Sequence, residues 1–194
     1  MLFVTAQMFA QTIYPRGTYM DIEELKNKTP SRPFYNYQIF KRTSGEILMN
    51  GGNDYRIESK NDSITKKIIR KDVFAISTGD SLYINGLNYK LQNWYCLARQ
   101  DGDYLYFKGG ACMDFKSPLA TSEPAIGGIA GANQAKERYL YYLNLNKNTI
   151  DVLTVNNINK LATQKDSLIT KQFQAEPQKD EKTVIKYYKI IKAR

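Results

Sequence analysis

The pattern of apolar and polar residues divides the chain into a region of strands and a region of helices. Between residues 34 and 115, short segments rich in β-branched and aromatic residues alternate with turn-forming pairs such as Gly51-Gly52 and Gly79-Asp80. Short segments joined by tight turns predict antiparallel neighbours. The predicted strands are 34–41, 46–49, 54–58, 64–70, 73–77, 81–85, 89–99 and 104–108, followed by 138–144 and 150–153.

Helices are predicted on both sides of this strand region. Asp21 and Glu24 fit a capping box, and Pro30 ends the first helix because the residue before a proline avoids the helical conformation. After residue 154 the apolar spacing becomes helical, with caps predicted at Asn156 or Asn157, at Asp166 and at Asp180. The predicted fold class is therefore α+β. It is a mainly antiparallel sheet (meander, sandwich or open barrel) with a short N-terminal helix and a C-terminal helical segment.

The best-defined predicted hairpin surrounds Asp101-Gly102, a sequence signal of a type I′ turn. Pairing about this turn places Arg99 opposite Tyr104 and Cys96 opposite Phe107. One face then holds the predicted core residues Trp94, Cys96, Ala98, Leu105 and Phe107. The other face holds Tyr95, Tyr104 and Tyr106, which either cover a second layer or face a partner.

Residues 1–11 are predicted to be the remnant of a secretory signal peptide, because they are largely apolar and contain small residues at Ala6 and Ala10. The positively charged start of such a signal is absent, and a short buried strand is the alternative. This prediction implies an exported chain, located in the periplasm, at the outer-membrane periphery or outside the cell. No later segment is apolar over the roughly 18 residues that a spanning helix needs.

A loop rich in small residues is predicted at 116–135, between Pro118 and the return of the strand pattern. Its tip could insert into a membrane or a partner through Ile126, Gly127, Gly128 and Ile129. The alternatives are a flexible loop, or one that packs against the sheet where only glycine fits. The predicted organisation is therefore a signal remnant at 1–11, a β-rich domain at 12–154 and a basic helical tail at 155–194.

The formal net charge of +9 is unevenly distributed. Most of the excess lies after residue 136, whereas residues 72–135 carry net negative charge. Lys182, Lys186 and Lys189 form one stripe on the last predicted helix, either a solvated face or a surface for acidic partners. No nucleic-acid-binding motif accompanies this charge, so the predicted partner is another envelope protein or an anionic surface rather than nucleic acid.

The chain contains no histidine, which excludes imidazole-activated nucleophiles and histidine-ligated zinc or haem. Paired carboxylates could still act on glycosides, and the candidates are Asp80, Asp101, Asp103 and Asp114. Nothing marks a pair among them, so no catalytic, cofactor-binding or metal-binding residue is predicted. Cys96 and Cys112 could form a disulfide in an exported protein, and a buried free Cys96 is the alternative.

Several segments resemble a family of small exported proteins of unknown function from Bacteroidetes-type bacteria. Residues 17–31 resemble its G-x-Y-x-s-x-E-E-F-x-x-x-x-P-S opening, and residues 72–85 are similar to its W-G-F-x-D-G-x-x-Y-I-N stretch. Phe74 replaces the usual Trp, and the Asp-Gly order appears as Gly79-Asp80. The resemblance implies export and a β-sheet domain with a helical tail, and it implies no catalytic residues.

Three hypotheses about function follow. The first is a non-enzymatic exported binding or structural module. The second is a carbohydrate-binding or hydrolytic protein that uses tyrosines and carboxylates. A concave pocket that joins two or more carboxylates to Tyr95, Tyr104 or Tyr106 would favour it. The third is a membrane-associated subunit of an envelope complex, which an exposed apolar tip at 126–132 would favour.

Overall fold

The computed structural model describes residues 14–111 and 136–193, which form nine strands, six α-helices and one 3₁₀ helix. The strands are β1 (Gly17–Tyr19), β2 (Tyr37–Lys41), β3 (Tyr55–Ser59), β4 (Ala75–Ser77), β5 (Leu82–Asn85), β6 (Tyr95–Asp101), β7 (Tyr104–Gly109), β8 (Tyr139–Asn144) and β9 (Thr149–Val152). The helices are α1 (Ile22–Asn27), α2 (Ser44–Asn50), α3 (Lys66–Lys71), α4 (Val155–Lys165), α5 (Ser167–Ala175) and α6 (Glu181–Ala193), with the 3₁₀ helix at Gly86–Tyr89.

All nine strands belong to one open antiparallel sheet, which confirms the predicted α+β class. Its main path runs β1-β4-β5-β6-β7-β8-β9, and the β2–β3 hairpin joins it where Tyr55 pairs with Tyr95. The strands at both ends of this path contribute to a single apolar cluster, through Tyr19 on β1 and Val152 on β9. The sheet therefore curves around that cluster, which forms its inner face.

The outer face of the sheet is covered by two separate layers. The β2–β3 hairpin and α3 cover one part, where Ile57 and Ile69 pack with Tyr95. Helices α4, α5 and α6 cover another part, where Ile158 and Tyr188 are among the residues that pack on the side of the sheet that carries Tyr142. No helix of the described residues is long and apolar enough to cross a membrane.

Two predicted strands, 46–49 and 64–70, are wrong because residues 46–49 lie in α2 and most of residues 64–70 lie in α3. Thr43 caps α2 through a complete capping box with Glu46, and the Thr65 hydroxyl accepts a hydrogen bond from the Ile68 amide at the start of α3. Ile64 and Ile68 are spaced four residues apart, which is helical rather than alternating. The threonine caps therefore favour helices in these two segments, although their β-branched residues are typical of strands.

The hairpin between β6 and β7 is shifted by two residues from the predicted register. Asp101 pairs with Tyr104 and Arg99 pairs with Tyr106, so the turn residues are Gly102 and Asp103. Gly102 has a φ of +60° and Asp103 does not have positive φ, the pattern of a type II′ turn rather than type I′. A shift of two residues preserves the faces, since side chains alternate with a period of two.

The helix caps agree with the sequence in three of four cases. Asp21, Asp166 and Asp180 each accept a backbone hydrogen bond in the first turn of their helices. Helix α4 is capped by Thr154 rather than by either asparagine. The buried side of α6 is confirmed as Val184, Tyr187, Tyr188 and Ile191. The Glu24 carboxylate bonds the Met20 amide, one residue before the predicted partner.

Candidate binding clefts on the outer face of the sheet

A strip of the sheet between the two outer layers forms a cleft of about 290 Å³, which we call the outer cleft. Its floor comes from β6 and β7, one wall from the start of β3 and the other from the start of α6. It is lined by Asp54, Tyr55, Leu97, Arg99, Tyr106, Phe107, Lys108, Leu140 and Glu181. A recess of about 250 Å³ shares Lys108, Leu140 and Glu181 with it and extends towards α4.

The outer cleft carries charges of both signs, and most of them are paired. The Arg138 Nε donates to Asp54 Oδ1 at 2.6 Å, and Lys108 forms an ion pair with Glu181. Arg99 is exposed on β6 and makes no hydrogen bond or ion pair with any described residue. Arg99 is therefore the guanidinium on the floor of this cleft that the described residues leave unpaired. It is available to bind an anionic group.

A second cleft of about 300 Å³, the end cleft, lies at the tip of the β6–β7 hairpin. It is lined by Asp101, Gly102, Asp103, Tyr104, Tyr142, Tyr188, Lys189, Lys192 and Ala193. Tyr104 and Tyr142 lie side by side, with ring centroids 4.7 Å apart. The Asp103 carboxylate has no partner among the described residues.

Two Tyr–Asp–Lys bridges fasten α6 to the sheet beside the end cleft. The Tyr142 hydroxyl donates to Asp101 Oδ2 at 2.7 Å, and the Lys189 ammonium lies 2.5 Å from the same oxygen. Tyr188 and Lys192 contact Asp151 in the same way. Burial and the hydrogen bonds to carboxylates raise the pKa of Tyr142 and of Tyr188. These bridges fix the walls of the end cleft.

The structure separates the residues that were predicted to form one partner surface. Tyr95 is fully buried, and its hydroxyl donates to the Ile69 carbonyl at 2.6 Å, so it cannot belong to a surface. Tyr106 lines the outer cleft and Tyr104 the end cleft, and both are partly covered by the helical layer. Both clefts therefore join two carboxylates to one of the named tyrosines, the observation that favours the second hypothesis.

The lysine stripe on α6 is also divided. Lys189 lines the end cleft, and Lys186 is bonded to Glu176 at 2.8 Å, which raises the pKa of its ammonium group. Lys182 is exposed, without an ion pair to a described residue. One lysine of the predicted stripe thus contributes to a cleft, and another is held within the helical layer.

Cys96 is buried in the inner cluster and forms no disulfide with a described residue, and burial raises the pKa of its thiol. Its predicted partner Cys112 lies outside the described residues, as do Asp114, the signal remnant at 1–11 and the proposed insertion tip at Ile126, Gly127, Gly128 and Ile129. The disulfide and the insertion tip therefore stay predictions.

A buried polar cluster, which we call the Asn53 hub, lies beside the outer cleft and consists of Arg42, Gly52, Asn53, Gln92 and Gly110. The Asn53 amide donates to the Gln92 carbonyl at 2.6 Å and to the Trp94 carbonyl at 3.3 Å, and its oxygen accepts from the Gly110 amide at 2.7 Å. The Arg42 guanidinium donates to the carbonyls of Gly51, Asn53 and Glu46. Burial lowers the pKa of Arg42.

Sequence reasoning missed the walls of the outer cleft. Asp54, Glu181 and Arg138 lie far apart in the chain, and no local motif connects them. One feature of the sequence points weakly to Arg99 as a site residue. It alternates with Tyr95, so it lies on the face of the hairpin that holds the tyrosines. Among the described residues, no group of three or more acidic or cysteine side chains could hold a metal ion.

Together, the sheet and its clefts define an α+β protein with an open curved sheet and ligand-sized clefts on its outer face. The chain belongs to a protein family described as "Family of unknown function (DUF6563)", whose model matches residues 17–194. No curated protein and no solved structure matches the chain. Membership in a family of unknown function is consistent with the resemblance found in the sequence, whereas export and the bacterial group stay predictions.

Proposed function

We propose that this protein is a non-catalytic binding module that holds an anionic ligand in the outer cleft. The observation that supports this function is the unpaired Arg99, on the floor of a cleft whose other charged groups largely have partners. A guanidinium presents parallel donors that match a carboxylate, sulfate or phosphate group. Half-buried Tyr55 and Tyr106 on either side offer ring surface for the rest of the ligand.

Hydrolysis of a glycoside is a second candidate, because each cleft contains two carboxylates. Glycoside hydrolysis requires one carboxyl group that is available to donate a proton. In the outer cleft, Asp54 and Glu181 are instead each paired with a cation. In the end cleft, Asp101 is held by Tyr142 and Lys189. Binding without catalysis is therefore the better-supported role.

Calorimetric titration with two acidic probes, digalacturonate and tetraglutamate, tests the proposal. We expect at least one of them to bind, and Arg99→Gln to weaken that binding about tenfold or more, equivalent to about 1.4 kcal/mol. Lys171→Gln is the matched control, because Lys171 is exposed on α5 away from both clefts. The proposal fails if neither probe binds or if the two variants bind equally well.

Export of the chain is part of the same proposal and rests on the sequence of residues 1–11 together with the family resemblance. In an exported protein, the ligand or partner would be a component of the cell envelope or its surroundings. Fractionation of the native cells provides the test. Recovery in the periplasmic, membrane or extracellular fraction is expected, and a purely cytoplasmic location would contradict export.

A further inference from the structure

The outer cleft and the end cleft adjoin along the β6–β7 hairpin. Arg99 and Tyr106 form one cross-strand pair in the outer cleft, and Asp101 and Tyr104 form the next pair on the same face, in the end cleft. Two residues of a strand span about 7 Å, so the two sites are neighbours. Helix α6 flanks both, since Glu181 near its start contacts Lys108 and Lys189 near its end contacts Asp101.

We infer that the ligand is an acidic oligosaccharide that runs beside α6 from the outer cleft into the end cleft, an inference that rests on the binding function proposed above. Each cleft alone is at the lower limit of the roughly 300–1,000 Å³ that ligand sites occupy. Together they fall within that range. A chain of several sugar rings uses both clefts, whereas a single ring fills one.

The groups along this path suit a saccharide. Half-buried tyrosines, with Tyr106 in one cleft and Tyr104 in the other, present ring surface to the apolar side of sugar rings. The ion pairs Lys108–Glu181 and Lys189–Asp101 leave further donors and acceptors for hydroxyl groups, which both donate and accept hydrogen bonds. Arg99 then selects a saccharide that carries a carboxylate.

The floor of the path disfavours an extended peptide bound as an added strand. Residues Tyr104 to Phe107 of β7 are paired with β6 on one side and with β8 on the other. Their backbone groups are therefore satisfied within the sheet, and recognition depends on side chains. Strand addition would require an exposed sheet edge.

Titration of the full chain with digalacturonate, tetragalacturonate, the neutral maltotetraose and tetraglutamate tests the inference. We expect tetragalacturonate to bind at least tenfold more tightly than digalacturonate, and at least tenfold more tightly than maltotetraose. Tyr104→Leu removes the gain from chain length, and its circular dichroism spectrum shows whether it folds. Lys171→Gln, away from both clefts, leaves the binding of both galacturonates unchanged. Tyr106→Leu weakens both acidic saccharides.

The outcomes separate this inference from the proposed function. Equal affinity for the two galacturonate lengths, or an unchanged length dependence in Tyr104→Leu, overturns the two-cleft ligand while an anionic site at Arg99 stands. Binding of tetraglutamate but of neither galacturonate overturns the saccharide assignment alone. If no acidic probe binds, both the inference and the proposed function fail.

Discussion

The Asn53 hub and the outer cleft are adjacent regions that use the same kinds of polar residue for opposite purposes. Asn53 lies in the hub, and the next residue, Asp54, lines the cleft. In the hub, the buried Arg42 donates to three backbone carbonyls. In the cleft, Arg99 is exposed and makes no bond to a described residue. A guanidinium bonded to carbonyls holds the fold together, whereas an unpaired one remains available to a ligand.

The hub and the outer cleft also differ in their backbone conformation. In the hub, Gly52 has a φ of +91°, and the adjoining residues Gly51 and Trp94 have φ values of +58° and +77°. Positive φ is uncommon for a bulky residue and is tolerated where the surroundings determine it. The strands below the outer cleft are regularly paired. Tight packing in the hub thus positions one wall of a cleft whose floor is an ordinary sheet.

The largest expected effect comes from Asn53→Ala. This change removes the side-chain partner of the Gly110 amide and of the Gln92 carbonyl, whereas the Trp94 carbonyl keeps its hydrogen bond from the Gly86 amide. We expect a loss of about 3–5 kcal/mol in the free energy of unfolding, because unsatisfied buried groups cost about 1–3 kcal/mol each. Urea denaturation measures it.

Asn50→Ala is the control for this variant, since Asn50 is exposed at the end of α2. Its free energy of unfolding should stay within about 0.5 kcal/mol of the wild type. Equal stability of the two variants would show that the hub does not hold the fold, and the distinction between hub and cleft would collapse.

Arg42→Met should cost about 2–4 kcal/mol, because it removes charge-assisted hydrogen bonds to the carbonyls of Gly51, Asn53 and Glu46. Arg42→Lys keeps the charge but lacks the planar group that reaches several carbonyls at once, so it should recover only part of the loss. Chemical denaturation of both variants provides the measurement. Full rescue by lysine would mean that charge, rather than the arrangement of donors, matters here.

Gly52→Ala should cost about 1–3 kcal/mol, because Gly52 adopts a conformation that side chains rarely enter. A Cβ there would also lie 2.6 Å from Trp94 Cδ1. Gly45→Ala is the matched control within α2, where a Cβ finds its nearest atom at 4.0 Å. Thermal unfolding should show that this control is unchanged or up to about 1 kcal/mol more stable. Similar effects at the two glycines would contradict the tight packing of the hub.

Much of the sheet could be predicted from the sequence, because strand alternation and turn residues are local signals. The faces of β6 and β7 were correct even though the turn lies one residue later than predicted, at Gly102-Asp103. Gly51-Gly52 is predicted as a turn between strands, whereas Gly51 is the C-cap of α2, and nothing in the sequence indicates that this pair encloses Arg42 and Asn53. That enclosure depends on contacts with Gln92 and Gly110, which only the folded chain brings together.

The candidate site was less predictable than the fold. Tyr104 and Tyr106 were identified from their alternation, but Tyr95 follows the same pattern and is fully buried. What separates them is which outer layer covers each tyrosine, a consequence of tertiary packing. Glu181 and Asp54 could not be assigned to a common cleft, because α6 and β3 approach each other only across the folded sheet.

The smallest expected change in stability is that of Arg99→Gln, and it gives the sharpest test of the comparison. Because Arg99 is exposed and bonded to no described residue, its removal should alter the free energy of unfolding by less than about 0.5 kcal/mol. Arg42→Met should instead destabilise the protein by several times that amount. Both variants are measured by urea denaturation under the same conditions. A loss above about 1 kcal/mol in Arg99→Gln would assign this guanidinium to the fold, and an anionic ligand would then compete with an existing structural contact.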